Sequence, residues 1–240
     1  SQSEARNQEP GLRVHPVDSV YSELEGAASA PQMTSLLLDR AEHLGALIRP
    51  EPVIALESTG EHITGVRTSS EIIYSDEVVI AAGVASPDLL SMVGVKLPLL
   101  NSEGLLACSL PRTKILRGVI LSPKLHMRQD SDGRIIVGRD FKGTSSCFSY
   151  VEEARQLIDA ARDMLIDRTL SFESFMVGKR PVPIDGLPVV GRPSRFSGLY
   201  IMAMHSGITL APLVGRLGAE EILRGHILSE LQDYRPDRFS

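Results

Sequence analysis

The strongest constraint on this chain is a run near its C-terminal end. It reads Gly178-Lys179-Arg180-Pro181-Val182-Pro183-Ile184-Asp185-Gly186-Leu187-Pro188-Val189-Val190-Gly191. A second run follows, Gly198-Leu199-Tyr200-Ile201-Met202-Ala203-Met204-His205-Ser206-Gly207-Ile208-Thr209-Leu210-Ala211-Pro212. Proline locks φ and drives the preceding residue toward an extended conformation, so Arg180 is expected at a strand end and not in a helix. Asp185-Gly186 supplies a tight turn. The apolar run 199–203 after a glycine reads as a buried strand. Ser206-Gly207 breaks it, and Thr209 is a candidate cap for a helix over 210–224. Leu210, Leu213, Val214, Leu217 and Ile222 recur there at helical spacing, and Gly225 is a stop. Strand, glycine turn and helix N-terminus together leave backbone N–H groups and a positive dipole end that suit an anion or a ligand carbonyl. A plain buried strand–helix corner has the same pattern.

The rest of the chain is read by period and punctuation. Residues 1–10 are polar and expected to be loose. Pro31 opens a helix to about residue 44, with Met33, Leu36, Leu37 and Ala41 at helical spacing and Gly45 as its stop. Short strands are expected over 53–56, 63–68 and 71–74. Glu77-Val78-Val79-Ile80-Ala81-Ala82-Gly83 is a continuous apolar run with a small end, as a parallel strand buried on both faces requires. Its small end permits close approach of a backbone or a ligand, or plain close packing. Further strand-like pieces cover 98–110 and 116–121, and 125–128 and 134–138 flank Asp130-Ser131-Asp132-Gly133, a hairpin signal. An amphipathic helix is expected over 151–165 and a strand over 172–177, leading into Arg180.

Composition excludes several classes. Net charge is −5, which leaves no basic footprint for nucleic acid or an anionic membrane. No apolar run approaches the roughly 20 residues of a membrane span, and the polar start is no signal peptide. Cys108 and Cys147 lie far apart, and the six histidines are scattered without metal-ligand spacing. Reduced thiols and a cytoplasmic location are the expectation, with no metal site. A chain that starts at Ser1 reads as processed or as a piece of a longer one.

The paired runs, "GxRPxPxDGLPxxG" and "GLYxxxxHSGITLAPxxGxL", resemble the C-terminal signature of the FAD-dependent amine and amino-acid oxidoreductases related to D-amino-acid oxidase and glycine oxidase. Glu25, Gly26, Pro31, Leu37, Ala41, Gly45 and Ala46 are similar to that family's "EGxxxPxxLxxxLxxxAxxxGA" helix. Residues 78–83 resemble its strand beside the flavin, and 234–239 its closing "FxxxRF". The resemblance implies an α/β architecture with an α+β substrate domain. After an N-terminal connecting segment over 1–25, residues 26–90 and 184–240 form an incomplete FAD/NAD(P)-binding domain. Residues 91–183 form an antiparallel-sheet substrate domain.

The resemblance also assigns roles. Arg180 holds the position that pairs with the substrate carboxylate; the alternative is an arginine that props the turn or pairs with Asp185. Val53, Ala81, Ala82 and Gly83 match positions near the adenine and the phosphate-ribityl chain. His205, Ser206, Gly207, Ile208 and Thr209 match the segment passing the flavin ring, where main-chain N–H groups face its O2 edge. The family has glycine before the histidine; Met204 stands there in this chain. No catalytic base is assigned, since the cofactor performs the chemistry, and FAD is expected to be non-covalent. The family's G-x-G-x-x-G fingerprint has no counterpart in this sequence.

The expectation is therefore part of a FAD-dependent oxidoreductase, oxidase or dehydrogenase, that converts the C–N bond of an amino acid or secondary amine to an imine. Glycine, sarcosine, proline-like and D-amino-acid substrates all occur among relatives. Its expected partners are the small substrate, an N-terminal Rossmann segment or partner subunit, and a second copy of itself. The alternative is a non-catalytic subunit or interaction module that has lost flavin binding.

Overall fold

The computed structural model describes residues 1–139 and 149–239. In chain order, helices α1 (Gln2–Gln8) and α2 (Ala30–His43) precede strands β1 (Ala55–Thr59), β2 (His62–Arg67), β3 (Ile72–Tyr74) and β4 (Val78–Ile80). A 3-10 turn over Gly83–Ala85 and helix α3 (Ser86–Ser91) follow. Next come β5 (Leu99–Ser109), β6 (Ile120–Leu121), β7 (His126–Gln129), β8 (Ile135–Gly138) and helix α4 (Tyr150–Met164). The chain closes with β9 (Phe172–Pro183), β10 (Val189–Gly191), β11 (Leu199–Ala203), helix α5 (Gly207–Arg224) and 3-10 turns over Ser229–Tyr234 and Pro236–Phe239. The mixed helix-and-sheet class expected from the sequence is the class observed. Contacts divide the chain into two compact units, Ser1–Asp39 with Glu103–Gly178 and Arg40–Ser102 with Lys179–Ser240.

In the first unit α4 lies on one face of the sheet ordered β6-β7-β8-β5-β9. Strand alternation puts Leu105, Ala107, Met127, Ile135 and Val137 on that face, where they meet Ala154, Leu157, Ile158 and Ala161 of the helix. Each buried aliphatic side chain contributes roughly 1.5–3 kcal/mol. The Asp130–Gly133 hairpin forms as expected, with Gly133 at φ 88°. The strand expected over 116–121 shrinks to Ile120–Leu121. Cys147 lies outside the described residues, and Cys108 is a buried free thiol.

Residues 1–10 are folded, not loose. After α1, the buried Glu9 carboxylate accepts the backbone N–H groups of Arg117 (3.0 Å) and Gly118 (3.0 Å). Arg13 N–H then donates to Met164 C=O (2.8 Å). A sequence scan scores Glu9 as polar surface because the groups it satisfies are 108 residues away. Glu9→Ala is therefore expected to cost about 2–3 kcal/mol, the penalty of orphaning buried donors. Amide hydrogen exchange should show lost protection at Arg117 and Gly118; unchanged protection there would refute the clamp.

The second unit is layered. The antiparallel sheet β1-β2-β3 and the sheet β10-β11-β4 share a core that holds Leu56 and Ile63 against Val78, Ile80, Leu199 and Ile201. On the other face of β11, Tyr200 and Met204 pack with Val214 and Leu217 of α5. Gly218 makes the close approach possible, since a Cβ there would sit 2.1 Å from Met202 Cε. β11 runs parallel to β4 and antiparallel to β10. The first strand starts at Ala55, two residues later than expected, and β9 runs on through Arg180 to Pro183.

One expectation about burial fails. β4 is not buried on both faces: Val79 is 42% exposed on one of them, and β4 is the outer strand of its sheet. Helix α2 forms at the expected place but has no buried residue, and Leu36 and Leu37 are largely exposed.

Candidate functional site

β4 and β11 are parallel neighbours, in register from Leu199 beside Val78 to Ile201 beside Ile80. Their carboxyl ends therefore come out at one edge, the place where α/β sheets bind ligands. Ala81-Ala82-Gly83 leaves β4 and Met204-His205-Ser206 leaves β11. Between these segments lies a cavity of about 380 Å³, whose lining includes Ala81, Gly83, Pro181, Met202, Met204, Gly207 and Ala211. Larger and more open hollows occur on each unit, near Lys114 and Arg117 and near Gln232. They lack the strand ends and the helix N-terminus that converge here.

Glycine is needed at the β4 exit. Gly83 has φ 57°, a left-handed conformation, and nothing lies within 4 Å of where its Cβ would be. Gly207 likewise faces open space. Small residues thus keep the cavity open from both the strand side and the helix side.

Helix α5 starts earlier than expected. Gly207 is its first residue and Ser206 its N-cap, so Thr209 lies in the first turn and does not cap. Ser206 makes no side-chain cap bond. Leu210 N–H donates to Ser206 C=O (2.9 Å), and the N–H groups of residues 207–209 precede that first ladder bond. This end of an 18-residue helix carries the positive pole of its dipole.

Arg180 reaches into the same neighbourhood. Its Nε donates to Ser102 Oγ (3.1 Å), and its Nη1 approaches His205 Nε2 (3.5 Å). His205 Nδ1 lies 3.2 Å from Ser206 Oγ. The Asp185 alternative fails, because that carboxylate accepts from Arg238 Nε (2.6 Å) and Nη2 (3.2 Å). Those Arg238 bonds, chiefly, hold the Asp185 carboxyl below the usual carboxylate range.

Of the residues singled out in the sequence, Ala81, Gly83 and Gly207 line the cavity. Ala82 sits at the N-cap of the 3-10 turn between them. His205, Ser206, Ile208 and Thr209 form the exposed strand-to-helix junction. Val53 is not brought there; it precedes β1 and is not a wall residue. Met202 and Ala211 were not singled out, and Met204 was noted only as standing where the family has a glycine. Strand alternation from Tyr200 and the i, i+4 step from Gly207 to Ala211 could have found them. Ser102 gave no signal, being 78 residues from Arg180. Among the described residues, no His/Cys/Asp/Glu cluster could hold a metal ion, and no helix is long and apolar enough to cross a membrane.

A sequence model of the family described as FAD dependent oxidoreductase (DAO) matches residues 1–221. The chain is 28% identical over 234 residues to an opine oxidase subunit of Agrobacterium tumefaciens, covering 95% of this chain and 61% of that protein. It is 29% identical over 171 residues to a glycine oxidase of Pseudomonas aeruginosa, covering 67% and 45% respectively. The fold resembles the crystal structure of glycine oxidase from Geobacillus kaustophilus with a TM-score of 0.86 at 24% identity, covering 99% of this chain and 66% of that one. The chain thus spans less than two thirds of the length of the curated relatives named.

Proposed function

Because the chain belongs to the FAD-dependent oxidoreductase (DAO) family, we propose that it forms part of an enzyme that oxidises the C–N bond of an amino acid or secondary amine to an imine. The observation that carries this reading is the meeting of two parallel strand ends and a helix N-terminus at one apolar cavity. The residues present fit a flat ring with one polar edge. Ala81, Met202 and Met204 offer apolar walls, Gly83 and Gly207 leave space no Cβ fills, and the N–H groups of residues 207–209, which precede the first ladder bond of α5, would serve as donors to a polar edge. FAD, when bound, supplies the two-electron acceptor.

The chain's own groups bind and orient. Arg180 offers a planar guanidinium to a substrate carboxylate, and charge-assisted bonds of this kind are worth roughly 1.5–3 kcal/mol each. The end of α5 stabilises negative charge that develops on the group it faces. Flavin binding falls to 26–90 and 184–240 and substrate binding to 91–183, with 1–25 as a connecting segment, although residues 1–39 pack in the unit with 103–178, and 91–102 and 179–183 in the other. No side chain is assigned proton transfer.

A Rossmann-type segment, in the same protein or a partner subunit, completes the site. The outer position of β4, the exposure of Val79, and the bare apolar stripe of α2 favour this; so does similarity to a protein named as one subunit of an opine oxidase. Unpaired strand edges and large apolar patches mark surfaces that another chain covers, and self-association is expected where that segment is lacking.

The test is reconstitution. The chain alone is expected to bind FAD weakly or not at all, and co-expression with a segment bearing G-x-G-x-x-G should give a yellow complex that oxidises small amino acids. A tight one-to-one flavin complex of the chain alone, measured by titration calorimetry, would refute the need for a partner. Absence of flavin under both conditions would favour the non-catalytic module.

A further inference from the structure

We infer that His205 and Ser102 are positioning residues for Arg180, which they hold at two points so that its guanidinium plane is set before a carboxylate arrives. The inference rests on the reading of Arg180 given above. Ser102 on β5 accepts from Nε at 3.1 Å, and His205, just before α5, approaches Nη1 with Nε2 at 3.5 Å. A guanidinium has donors and no lone pair. The imidazole must therefore present a bare Nε2, which places its proton on Nδ1. That proton points at Ser206 Oγ, 3.2 Å away.

A separate fact agrees with this assignment. Ser206 is the N-cap of α5, yet its side chain makes no cap bond. A serine in this position ordinarily accepts from the helix's first turn. Here the hydroxyl is turned to the imidazole instead. The relay Ser102–Arg180–His205–Ser206 thus joins strand β5, strand β9 and the start of α5, and it leaves the N–H groups of the first turn without the N-cap hydroxyl as acceptor. One residue, His205, links the group that would receive a carboxylate to the helix end that would face the ring.

Fixing a long cation in advance removes rotamer entropy that binding would otherwise have to overcome. Misalignment of such a clamp weakens substrate binding before it slows chemistry. His205 therefore acts on KM, through Arg180, and not as an acid or base.

The first measurement uses the chain by itself. Long-range proton–nitrogen correlation of the 15N-labelled chain should show His205 protonated on Nδ1 and bare on Nε2, with His205→Leu identifying the signal. A proton on Nε2 overturns the inference whatever the enzyme's substrate proves to be. The second uses the FAD-loaded, assembled enzyme. His205→Leu should raise KM for a carboxylate substrate about tenfold with kcat within twofold, and Ser102→Ala should move KM in the same direction. His205→Gln, which retains an acceptor, should recover most of the loss. A fall in kcat at constant KM, or no recovery by glutamine, overturns the inference. Because His205 is exposed, loss of folding is not expected to obscure these results. If instead Arg180→Leu itself leaves KM unchanged, the carboxylate reading fails and the inference fails with it, even with the tautomer as stated.

Discussion

Arg235→Ala is expected to destabilise the unit that carries α5 by about 3–5 kcal/mol, the usual result of stripping the partner from a buried charge. Glu221 is 2% exposed. Its carboxylate accepts from Arg235 Nη1 (2.7 Å), from Arg235 Nη2, from Tyr200 Oη (2.7 Å) and from the Leu228 backbone N–H (2.7 Å). These bonds tie together β11, α5 and the closing turns. Gly191, at φ 133°, makes room for the arginine: a Cβ there would lie 2.5 Å from Arg235 Nη1. A loss of this size corresponds to a fall in melting temperature on the order of 10 °C. Thermal melting of wild type, Arg235→Ala and Tyr200→Phe should show the largest loss in Arg235→Ala, with Tyr200→Phe the milder change. A melting temperature for Arg235→Ala within about 2 °C of wild type would refute the role.

The same network sets an acid limit. Burial pushes the Glu221 carboxyl up, but the bonds from Arg235, Leu228 and Tyr200 outweigh it and bring the pKa to about 2, against an ordinary 4.5. A carboxyl depressed on folding contributes stability that is fully present above its unfolded value. That contribution should decline as pH falls from about 4.5 toward about 2. Burial, and then its bond to Glu221, pushes the Tyr200 phenol up, so it stays a donor throughout this range. Melting curves across that acid window should converge for wild type and Arg235→Ala as Glu221 protonates.

Arg180→Leu is expected to raise KM for a carboxylate substrate roughly a hundredfold in the assembled enzyme, since two charge-assisted bonds are lost at once. Folding should change little, because Arg180 is only half-buried and the neighbouring turn is held by Asp185 with Arg238. Arg180→Lys should recover part of the affinity but not the two-pronged geometry. Steady-state kinetics with a carboxylate substrate and its amide analogue separates the effects. The wild-type preference for the acid should vanish in Arg180→Leu. An unchanged KM with a lowered melting temperature would make Arg180 a prop for the turn.

Local chemistry could be read from residues close together in the chain. Pro181 and Pro183 kept the Arg180 segment extended, Asp185-Gly186 turned, and the apolar run 199–203 gave a buried strand. The α4 face was legible because Ala154, Leu157, Ile158 and Ala161 repeat at the helical period. The small end of β4 and the glycine at the start of α5 pointed to the cavity because a missing Cβ is a local property with a spatial consequence. Val53, matched by likeness to a position near the adenine and the phosphate-ribityl chain, lies before β1 and away from the cavity wall.

The chain's residue order by itself determined the periods, the turns, the family and the two glycine exits, since each depends on neighbours within one or two turns of backbone. Only tertiary structure decided which charges are partnered. Glu9 serves Arg117 and Gly118, Glu221 serves Tyr200 and Arg235, Asp185 serves Arg238 and not Arg180, and Ser102 meets Arg180. A hydrogen bond is fixed by distance and angle in space, and residues that meet across tens of chain positions leave no local pattern to announce it. The exposure of Val79 and of the α2 stripe was decided the same way, by what packs against them and not by their own hydrophobicity.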